Sequence, residues 1–311
     1  MLWSQNKRYN TLDGYYKSRF GCKVAKISLN AGFTCPNRDG TKGRGGCIYC
    51  SPSGSGDFAG DPHESIPEQF YHQAEKMREK WHDAKFLPYF QAGTNTYAPL
   101  CRLKEVYESA LALPDCVGMS IATRPDCISD SVLSYLAEIA SRTYLTVELG
   151  LQSVFDETGE KINRHTTYAE FLDCYRRLSE RNIPVCVHLI NGLPGEDREK
   201  MLESVRRVAL LRPHAVKLHM LHILKDTVCA EMYARGEIVP FEKEEYIELV
   251  CDQLELLHPD TVVQRITGDG GRETLIAPLW SIKKFDVMNG VDRVLRLRDS
   301  YQGKYFPKTD A

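Results

Sequence analysis

Cys35-Pro-Asn-Arg-Asp-Gly-Thr-Lys-Gly-Arg-Gly-Gly-Cys47-Ile-Tyr-Cys50 follows an apolar run, Val24 to Leu29, that predicts a buried β-strand. The three cysteines of this stretch are spaced C-x11-C-x2-C. A C-x2-C pair brings two thiolates to one metal centre, and iron–sulfur clusters are held by cysteine thiolates. Three thiolates leave a position open on the metal, as a catalytic zinc site does. The stretch therefore predicts a metal centre that performs chemistry, on a loop after the first strand.

The same cysteines allow one other kind of site. A zinc knuckle would use Cys22 or a histidine as its fourth ligand. A second C-x2-C pair or an H-x3-H pair would favour zinc, and the sequence has neither. The zinc knuckle therefore stays open as the less favoured alternative.

Beyond the loop, apolar segments with the period of strands alternate with segments of helical period. The predicted strands cover residues 24–29, 85–91, 116–121, 144–149, 183–189, 215–220 and 261–266. Six strand–helix units with short connections imply parallel strands and right-handed crossovers. An open partial barrel and a doubly wound sheet both satisfy this pattern, and both place the working site at the carboxyl ends of the strands. We expect an α/β fold, a partial (β/α)6 barrel with the cysteine loop after its first strand.

Charge divides the chain into a body and two basic ends. Residues 1–44 carry nine Lys and Arg against two Asp, and residues 281–311 carry seven basic against four acidic side chains, although the net charge is −2. We expect a basic, aromatic N-terminal extension over residues 1–22, the barrel over 23–266 and a basic C-terminal extension over 267–311. Basic margins on an acidic body can bind phosphates. The N-terminal aromatic side chains could stack on bases or belong to a short helix packed on the barrel end.

Composition describes an ordinary globular protein. Of 311 residues, 42% are hydrophobic and 26% are charged, and no apolar run reaches the 18 residues of a membrane span. The eleven cysteines are odd in number and lie mostly in apolar segments, which favours free thiols in a reducing compartment over a disulfide framework. The start of the sequence has no hydrophobic signal-peptide segment. We therefore expect a cytoplasmic protein.

The cysteine loop resembles the cluster loop of the radical S-adenosylmethionine (SAM) enzymes. Their usual spacing is C-x3-C-x2-C with an aromatic residue before the last cysteine, where this chain has Tyr49. Longer first gaps occur in the elongator-like branch, which modifies wobble uridines of tRNA, and the chain is most similar to small bacterial members of the YhcC/YtqA type. The resemblance implies a [4Fe–4S] cluster on Cys35, Cys47 and Cys50, with S-adenosyl-L-methionine at its open iron. It also implies a one-electron reductant of the flavodoxin or ferredoxin type and cleavage of SAM to a 5′-deoxyadenosyl radical.

Polar residues stand at the predicted strand ends, where such a cofactor would bind. Gly93 to Thr96 expose oxygens that suit an ammonium group. Glu148 lies within an apolar strand, where a carboxylate needs a partner such as a ribose diol or an ammonium group. Arg164 could hold a carboxylate in a bidentate manner. The resemblance extends SAM binding to a set of residues, namely Tyr49, Gly93, Thr94, Asn95, Thr96, Thr123, Arg124, Glu148, Gln152, Ser153, Arg164, His188, Gly192 and Pro194.

Several of these assignments have structural alternatives. The stretch Thr123-Arg-Pro-Asp126 could be a turn with a surface ion pair. Glu148 and Arg164 could form a buried structural ion pair, and His188 could be a histidine of the core. These alternatives stay open at the level of sequence.

Basic residues also follow the sixth predicted strand. His219 could reach a substrate, but His219 and His222 are three residues apart at a strand end, do not face together and predict no metal site. The Gly-rich stretch from Arg265 to Trp280 lacks the Gly-Lys-Ser/Thr of a phosphate-binding P-loop. It could close the barrel or contact tRNA or another substrate.

The resemblance implies a 5-substituted wobble uridine of tRNA as the substrate. The specific hypothesis is the trimming of a 5-carboxymethylaminomethyl group to 5-aminomethyl. We see no acetyltransferase domain in the sequence, so the acetyl-CoA chemistry of elongator itself is not expected. Two alternatives stay open, a small-molecule radical oxidase or decarboxylase of the anaerobic coproporphyrinogen oxidase type and a non-catalytic metal-bound nucleic-acid-binding module.

Overall fold

β-Strands alternate with α-helices in the computed structural model, which describes residues 7–54, 56, 58–268 and 270–307. The strands are β1 (Val24–Leu29), β2 (Lys85–Phe90), β3 (Gly118–Thr123), β4 (Tyr144–Gln152), β5 (Val185–Asn191), β6 (Ala215–Met220), β7 (Ile223–Leu224), β8 (Val262–Arg265) and β9 (Leu275–Ala277). The helices are α1 (Leu12–Phe20), α2 (Ile66–Lys80), α3 (Leu100–Leu111), α4 (Asp130–Arg142), α5 (Asp156–Lys161), α6 (Tyr168–Ser179), α7 (Arg198–Leu210), α8 (Val228–Ala234), α9 (Lys243–Leu256) and α10 (Lys284–Leu297). Short 3-10 helices cover Pro125–Cys127 and Leu279–Ile282.

Seven strands form one sheet whose order, β1-β2-β3-β4-β5-β6-β8, is the order of the chain. The strand pairs β1–β2, β2–β3, β3–β4 and β6–β8 are parallel. A doubly wound sheet reverses its strand order at a switch point, whereas this order runs in one direction. The predicted fold class, an α/β partial barrel, is confirmed. β7 and β9 form a separate antiparallel pair.

Two strands begin two residues later than predicted, and each shift has a local cause. β3 begins at Gly118, because Cys116 forms only an isolated bridge and the chain turns at Gly118, whose φ is 142°. β5 was expected from Ile183 but begins after Pro184, which has no N–H to give to a strand ladder. β4 runs past its predicted end as far as Gln152, whose φ of 68° is left-handed. A left-handed non-glycine residue is uncommon and favours a functional role at this strand end.

The helices begin at side chains that satisfy their first backbone N–H groups. The predicted capping box at the start of α6 is confirmed, because Thr167 Oγ1 accepts from the N–H of Glu170 at 3.2 Å and Glu170 Oε2 accepts from the N–H of Thr167 at 2.7 Å. Ser65 and Glu68 form the same box at α2. Among the described helices, none has both the length and the apolar character needed to cross a membrane.

The chain divides into two compact units. The first, the cysteine-loop unit, comprises Tyr16–Leu151 and Asn163–Cys186. The second, the C-terminal unit, comprises Gln152–Ile162, the chain from Val187 onward and the segment that ends at Tyr15. The three cysteines of the predicted metal centre all belong to the first unit.

Aromatic pairs fix the helices of the cysteine-loop unit on its strands. The ring of Phe70 on α2 meets that of Phe86 on β2 edge to face at 5.4 Å, and Phe90 meets Tyr107 of α3 at 5.3 Å. All four rings are fully buried. Such pairs contribute about 0.5–1.5 kcal/mol beyond the burial of their area. The helices are thus held against the body of the sheet, which leaves the strand ends to polar loops.

The N-terminal segment packs at the amino ends of the strands. In the cysteine-loop unit, Tyr16 and Phe20 of α1 meet the ring of Tyr144, the first residue of β4, at 6.2 and 5.5 Å. In the C-terminal unit, Val263 of β8 donates its N–H to the carbonyl oxygen of Asn10 at 2.7 Å. Of the two predicted roles, the structure shows the packed helix, because Tyr16 is buried and cannot stack on a base. Strand amino ends lie opposite the carboxyl ends where a barrel enzyme works.

Part of the charge at the two basic ends is neutralised within the C-terminal unit. Lys7 pairs with Asp292 of α10, and Arg8 pairs with Asp299 at 3.1 Å. Arg298 pairs with three acidic side chains of α9. These ends therefore present less uncompensated charge than the sequence count implies, and their phosphate-binding role stays a prediction.

Gly118→Ala tests the close approach of β3 to β4. A Cβ at Gly118 would lie 1.9 Å from the carbonyl oxygen of Tyr144. Because that oxygen belongs to a paired strand and cannot move aside, we expect a loss of about 3 kcal/mol or more in the free energy of unfolding, measured by urea denaturation. Gly21→Ala is the control, since Gly21 has a φ of 71° but open space around it, and it should lose about 1 kcal/mol. Equal losses in the two variants would contradict the packing argument.

Candidate functional site

The cysteine loop leaves the carboxyl end of β1 and carries its thiols on hydrogen-bonded turns. The carbonyl oxygen of Cys35 accepts from the N–H groups of Arg38 at 2.8 Å and Asp39 at 3.1 Å, and Cys50 donates its N–H to the carbonyl oxygen of Cys47 at 2.9 Å. None of the three forms a disulfide and all three are partly exposed, whereas the four cysteines of α6, β5, α8 and α9 are buried. The loop thus presents the predicted ligands where an incoming metal centre could reach them.

The long first gap, residues 36–46, forms a closed hairpin. Asp39 and Arg44 form an antiparallel bridge, and Gly46 donates its N–H to the carbonyl oxygen of Asn37 at 2.9 Å. The φ of Gly46 is 79°, a conformation that side-chain-bearing residues rarely adopt. Because Gly46 and Asn37 meet at the base of the hairpin, the length of the gap does not separate the first cysteine from the other two.

Side-chain amides and one guanidinium hold this hairpin at its base. Asn163 donates from Nδ2 to the carbonyl oxygen of Gly46 at 2.7 Å, and its own carbonyl oxygen accepts from Asn37 Nδ2. Arg38 donates to the carbonyl oxygens of residues 50–52, the contact with Pro52 being 2.9 Å. The base of the loop is therefore held by side-chain donors paired with backbone acceptors.

Three charged residues, Lys42, Arg124 and Asp126, form an ion-pair network. Arg124 binds Asp126 through two hydrogen bonds of 3.0 and 2.9 Å, and Lys42 Nζ lies 2.8 Å from Asp126 Oδ2. Burial acts to raise the pKa of Asp126, but the hydrogen bonds and charges of Arg124 and Lys42 outweigh it and hold that pKa below its ordinary value. Arg124 also donates to the carbonyl oxygen of Arg164 at 2.8 Å. The geometry thus gives Arg124 a structural role, and its part in SAM binding stays a prediction.

The three thiols fit a polynuclear cluster better than a single zinc ion. A tetrahedral zinc ion with Zn–S bonds of about 2.3 Å needs its sulfurs about 3.8 Å apart. The Sγ atoms of Cys35, Cys47 and Cys50 do not form one of the groups of described ligand atoms that lie within 4.8 Å of one another. A four-iron cluster takes each thiolate on a different iron, so its thiolates lie farther apart. The donor set, three partly exposed thiols on one loop, therefore fits the [4Fe–4S] cluster.

The loop after β2 is buried and almost fully hydrogen-bonded. A Cβ at Gly93 would lie 2.3 Å from the carbonyl oxygen of Phe33, so only glycine fits there. The hydroxyls of Thr96 and Thr123 bond to each other at 2.6 Å. Asn95 donates from Nδ2 to a strand carbonyl, but its Oδ1 is buried and finds no partner in the described structure. An unsatisfied buried acceptor suits the ammonium group that the sequence predicts here.

Glu148 is fully buried, and the protein itself supplies partners for its carboxylate. Lys26 Nζ on β1 lies 2.5 Å from Glu148 Oε1, and Ser120 Oγ on β3 donates to the same oxygen at 2.6 Å. Lys26 also lies over the ring of Tyr89 on β2, 4.7 Å from its centroid. Four neighbouring strands therefore meet in one polar cluster. A sequence pattern does not reveal this pairing, although a lysine inside an apolar strand is a signal that could have found it.

Arg164 is a buried cation beside the cysteine turn. Its guanidinium donates to the carbonyl oxygens of Gly150 and Thr166. Burial lowers the pKa of Arg164, while Tyr49 and Cys47 nearby act in the opposite direction. The structure thus brings Arg164, Tyr49 and Cys47 close together, and their roles in cofactor binding stay predictions. It does not pair Arg164 with Glu148 in any described contact, since Glu148 binds Lys26.

The remaining predicted residues lie in the C-terminal unit. Ser153 Oγ donates to Glu196, a carboxyl whose pKa burial raises, and Gly192 has a φ of 87°. The turn from Gly192 to Asp197, which includes Pro194, lines a groove of about 340 Å³ together with the chain from Glu237 to Phe241. The ring of His188 lies 5.4 Å from that of His219, and the part of His188 in SAM binding stays a prediction. Gln152 is the left-handed residue that ends β4.

A cysteine loop at the carboxyl end of the first strand of a partial (β/α) barrel is the arrangement of the radical SAM enzymes. Comparison with protein-family models gives the same class. The model described as Radical SAM superfamily matches residues 35–208, and the model described as Radical_SAM C-terminal domain matches residues 213–296. The chain belongs to the radical SAM superfamily, and it is an enzyme. Enzymes of this superfamily use a [4Fe–4S] cluster and SAM, which excludes the non-catalytic module considered above.

Individual relatives place the chain in the elongator-like branch. YtqA of Bacillus subtilis is 48% identical over 98% of this chain and 94% of its own length, and YhcC of Escherichia coli is 38% identical over 93% of both. A tRNA uridine(34) acetyltransferase of Methanocaldococcus jannaschii is 30% identical over 43% of this chain and 25% of its own length. Among solved structures, the Elp3 of Methanocaldococcus infernus with an N-terminal deletion has a TM-score of 0.66 at 18% identity, covering 90% of this chain and 64% of that one. That likeness shows the same fold.

Lys26→Met tests whether the buried ion pair with Glu148 holds the strands together. Removing one partner leaves a buried charge uncompensated, so we expect a loss of about 3–5 kcal/mol in the free energy of unfolding, measured by chemical denaturation. Lys85→Met is the matched control on β2, because the ion pair of Lys85 with Asp115 is exposed and should contribute less than about 1 kcal/mol. A loss below 1 kcal/mol in Lys26→Met would show that the pair is not structural.

Substitution of the cysteines tests the metal centre directly. Cys35→Ala, Cys47→Ala and Cys50→Ala should each abolish cluster assembly and SAM cleavage, because each removes one of three thiolates. Cys174→Ala, in buried α6, should leave the iron content unchanged. The measurement is iron and sulfide per chain after anaerobic reconstitution, with the visible absorption spectrum. Full iron loading of Cys47→Ala would overturn the assignment.

Proposed function

We propose that this enzyme acts on a 5-substituted uridine at the wobble position of tRNA and trims a 5-carboxymethylaminomethyl group to 5-aminomethyl. Water would release the lost carboxymethyl group as glyoxylate, and SAM would be the two-electron oxidant, leaving as methionine and 5′-deoxyadenosine. The observation that carries the RNA part is the similarity to a tRNA uridine(34) acetyltransferase, at 30% identity over 138 residues. That match covers only 25% of the acetyltransferase, so acetyl transfer is not carried over to this chain. The shared part is proposed to supply the radical chemistry and the position of the uridine.

The cysteine-loop unit is proposed to hold both cofactors. Cys35, Cys47 and Cys50 bind the cluster, and a one-electron reductant of the flavodoxin or ferredoxin type supplies its electron. When bound, the cluster and SAM supply a 5′-deoxyadenosyl radical that takes a hydrogen atom from the substrate. Arg164, a buried cation beside Cys47, binds the carboxylate of SAM. Charges in a buried site interact more strongly than in water, which favours this contact.

Further SAM contacts follow from the remaining predicted residues. The unpartnered Oδ1 of Asn95 accepts a hydrogen bond from the ammonium group of SAM. Glu148, already oriented by Lys26 and Ser120, accepts from a ribose hydroxyl. Each contact uses a group that the fold holds in place before the cofactor arrives, which lowers the cost of binding.

A defined substrate tests this function. The reconstituted enzyme, given SAM and a reductant without oxygen, should convert an anticodon stem-loop carrying 5-carboxymethylaminomethyluridine to the 5-aminomethyl form. The measurement is nucleoside analysis by mass spectrometry, with 5′-deoxyadenosine measured alongside, and Cys47→Ala is the inactive control. Cleavage of SAM without any change in the stem-loop, together with unchanged tRNA nucleosides in a deletion strain, would refute the RNA substrate and favour a small-molecule radical oxidase.

A further inference from the structure

The long first gap of the cysteine loop buries the side-chain amide of Asn37, two residues after Cys35. Loops usually run over the surface of a protein, yet Asn37 is fully buried. A Cβ at Gly43, on the other side of the hairpin, would lie 2.2 Å from Asn37 Oδ1, so glycine leaves the room that this amide needs. Burying an amide is costly unless it is hydrogen-bonded. The contacts of this group therefore indicate what the hairpin is built to hold.

The amide of Asn37 points its nitrogen at a cysteine sulfur. Asn37 Nδ2 donates to the carbonyl oxygen of Asn163 and lies 3.6 Å from Cys47 Sγ, a hydrogen-bond distance for the large sulfur atom. The two hydrogens of the amide thus have one acceptor each. The opposite orientation would place Oδ1 against a carbonyl oxygen and a sulfur, which are both acceptors. The backbone carbonyl of Asn163 therefore fixes the direction of the N–H group towards Cys47.

A donor at this sulfur acts on the electron affinity of a bound cluster. Hydrogen bonds to the ligand sulfurs are among the factors that set the reduction potential of an iron–sulfur cluster. Reduction adds one negative charge, of which the thiolate sulfurs carry a part. A hydrogen bond is stronger when its acceptor is more negative, so an N–H donor stabilises the reduced state more than the oxidised state. Arg164 and Tyr49 also lie beside this thiol, and the amide of Asn37 adds the donor that comes from the long gap.

We propose that Asn37 donates a hydrogen bond to the Cys47 thiolate and thereby raises the reduction potential of the cluster. The inference rests on Cys47 as a cluster ligand, as in the function proposed above, and does not depend on the identity of the substrate. Asn37 acts through Cys47 and is a positioning residue. The step concerned is the uptake of one electron from the flavodoxin- or ferredoxin-type reductant, in which no covalent bond forms or breaks. The hairpin thus makes the cluster easier to reduce.

Asn37→Leu tests the proposal, because leucine has a similar size and no N–H group in its side chain. The reduction potential of the reconstituted cluster is measured by a redox titration followed by EPR, without substrate. The equilibrium constant for one-electron reduction should fall about 10-fold, which makes the potential about 59 mV more negative.

Asn163→Gly is the matched control for loosening of the hairpin. It removes the side-chain bonds of Asn163 to the carbonyl oxygens of Arg44 and Gly46. It keeps the backbone carbonyl that orients Asn37, and glycine readily adopts the left-handed φ of 54° found at this position. This variant should keep the native reduction potential.

The other outcomes separate the possible errors. A native potential in iron-loaded Asn37→Leu overturns the proposal, and so do equal shifts in both variants, because loosening of the hairpin is then the cause. Full iron loading of Cys47→Ala refutes the cysteine assignment separately. If Asn37→Leu does not fold or bind iron, the native enzyme carries the test with 15N in its asparagine side-chain amides. Its reduced cluster should show a 15N coupling in pulsed EPR that Asn163→Gly retains, and the absence of this coupling overturns the proposal.

Discussion

The bidentate pair between Arg124 and Asp126 is the interaction on which the position of the cysteine loop depends. Arg124 follows β3, and Asp126 lies in the short 3-10 helix after it, so both stand at a strand end fixed by the sheet. Lys42, from the hairpin of the first gap, forms an ion pair with Asp126. Arg124 donates a hydrogen bond to the carbonyl oxygen of Arg164. One buried pair therefore joins three segments that are far apart in sequence. Together with the hydrogen bonds of Asn163 to the base of the hairpin, it fixes the hairpin beside the buried Arg164.

Buried charge is used in two different ways in this protein. Glu148 is satisfied by Lys26 and Ser120, which makes its ion pair a fixed part of the sheet. Such a pair adds little net stability compared with apolar packing, but it is costly to break. In the C-terminal unit, by contrast, the buried Lys217 of β6 stands in register with Arg265 of β8. The first arrangement orients a carboxylate before a ligand arrives, and the second places two cations on neighbouring strands.

The regular secondary structure could be predicted from the sequence, and the contacts between distant segments could not. Strands β1 and β6 follow from short runs in which apolar residues alternate with polar ones, and the capping box at Thr167 follows from a local spacing. The start of β5 was misplaced because an apolar residue before Pro184 reads as a strand although proline cannot join the ladder. The three cysteines could be predicted as metal ligands from their spacing, because ligands that are close in sequence lie on one loop. The partner of Glu148 could not, because β2 and β3 separate β1 from β4 in the sheet and no local pattern links Lys26 to Glu148. The bulge that places Arg265 opposite Lys217 has no signature in residue type at all.

The closed hairpin of residues 36–46 has a consequence for how such loops change in evolution. The entropy lost on closing a loop grows only with the logarithm of its length. Lengthening the first gap from the usual three residues to eleven therefore costs about 1 kcal/mol. The hydrogen bonds of Asn163 with Gly46 and Asn37 are enough to offset this cost. Insertions between the first and second cysteines are thus close to thermodynamically neutral, provided that a residue outside the loop ties its base. The length of the first gap can therefore change at little cost in folding free energy while the three thiols keep their positions.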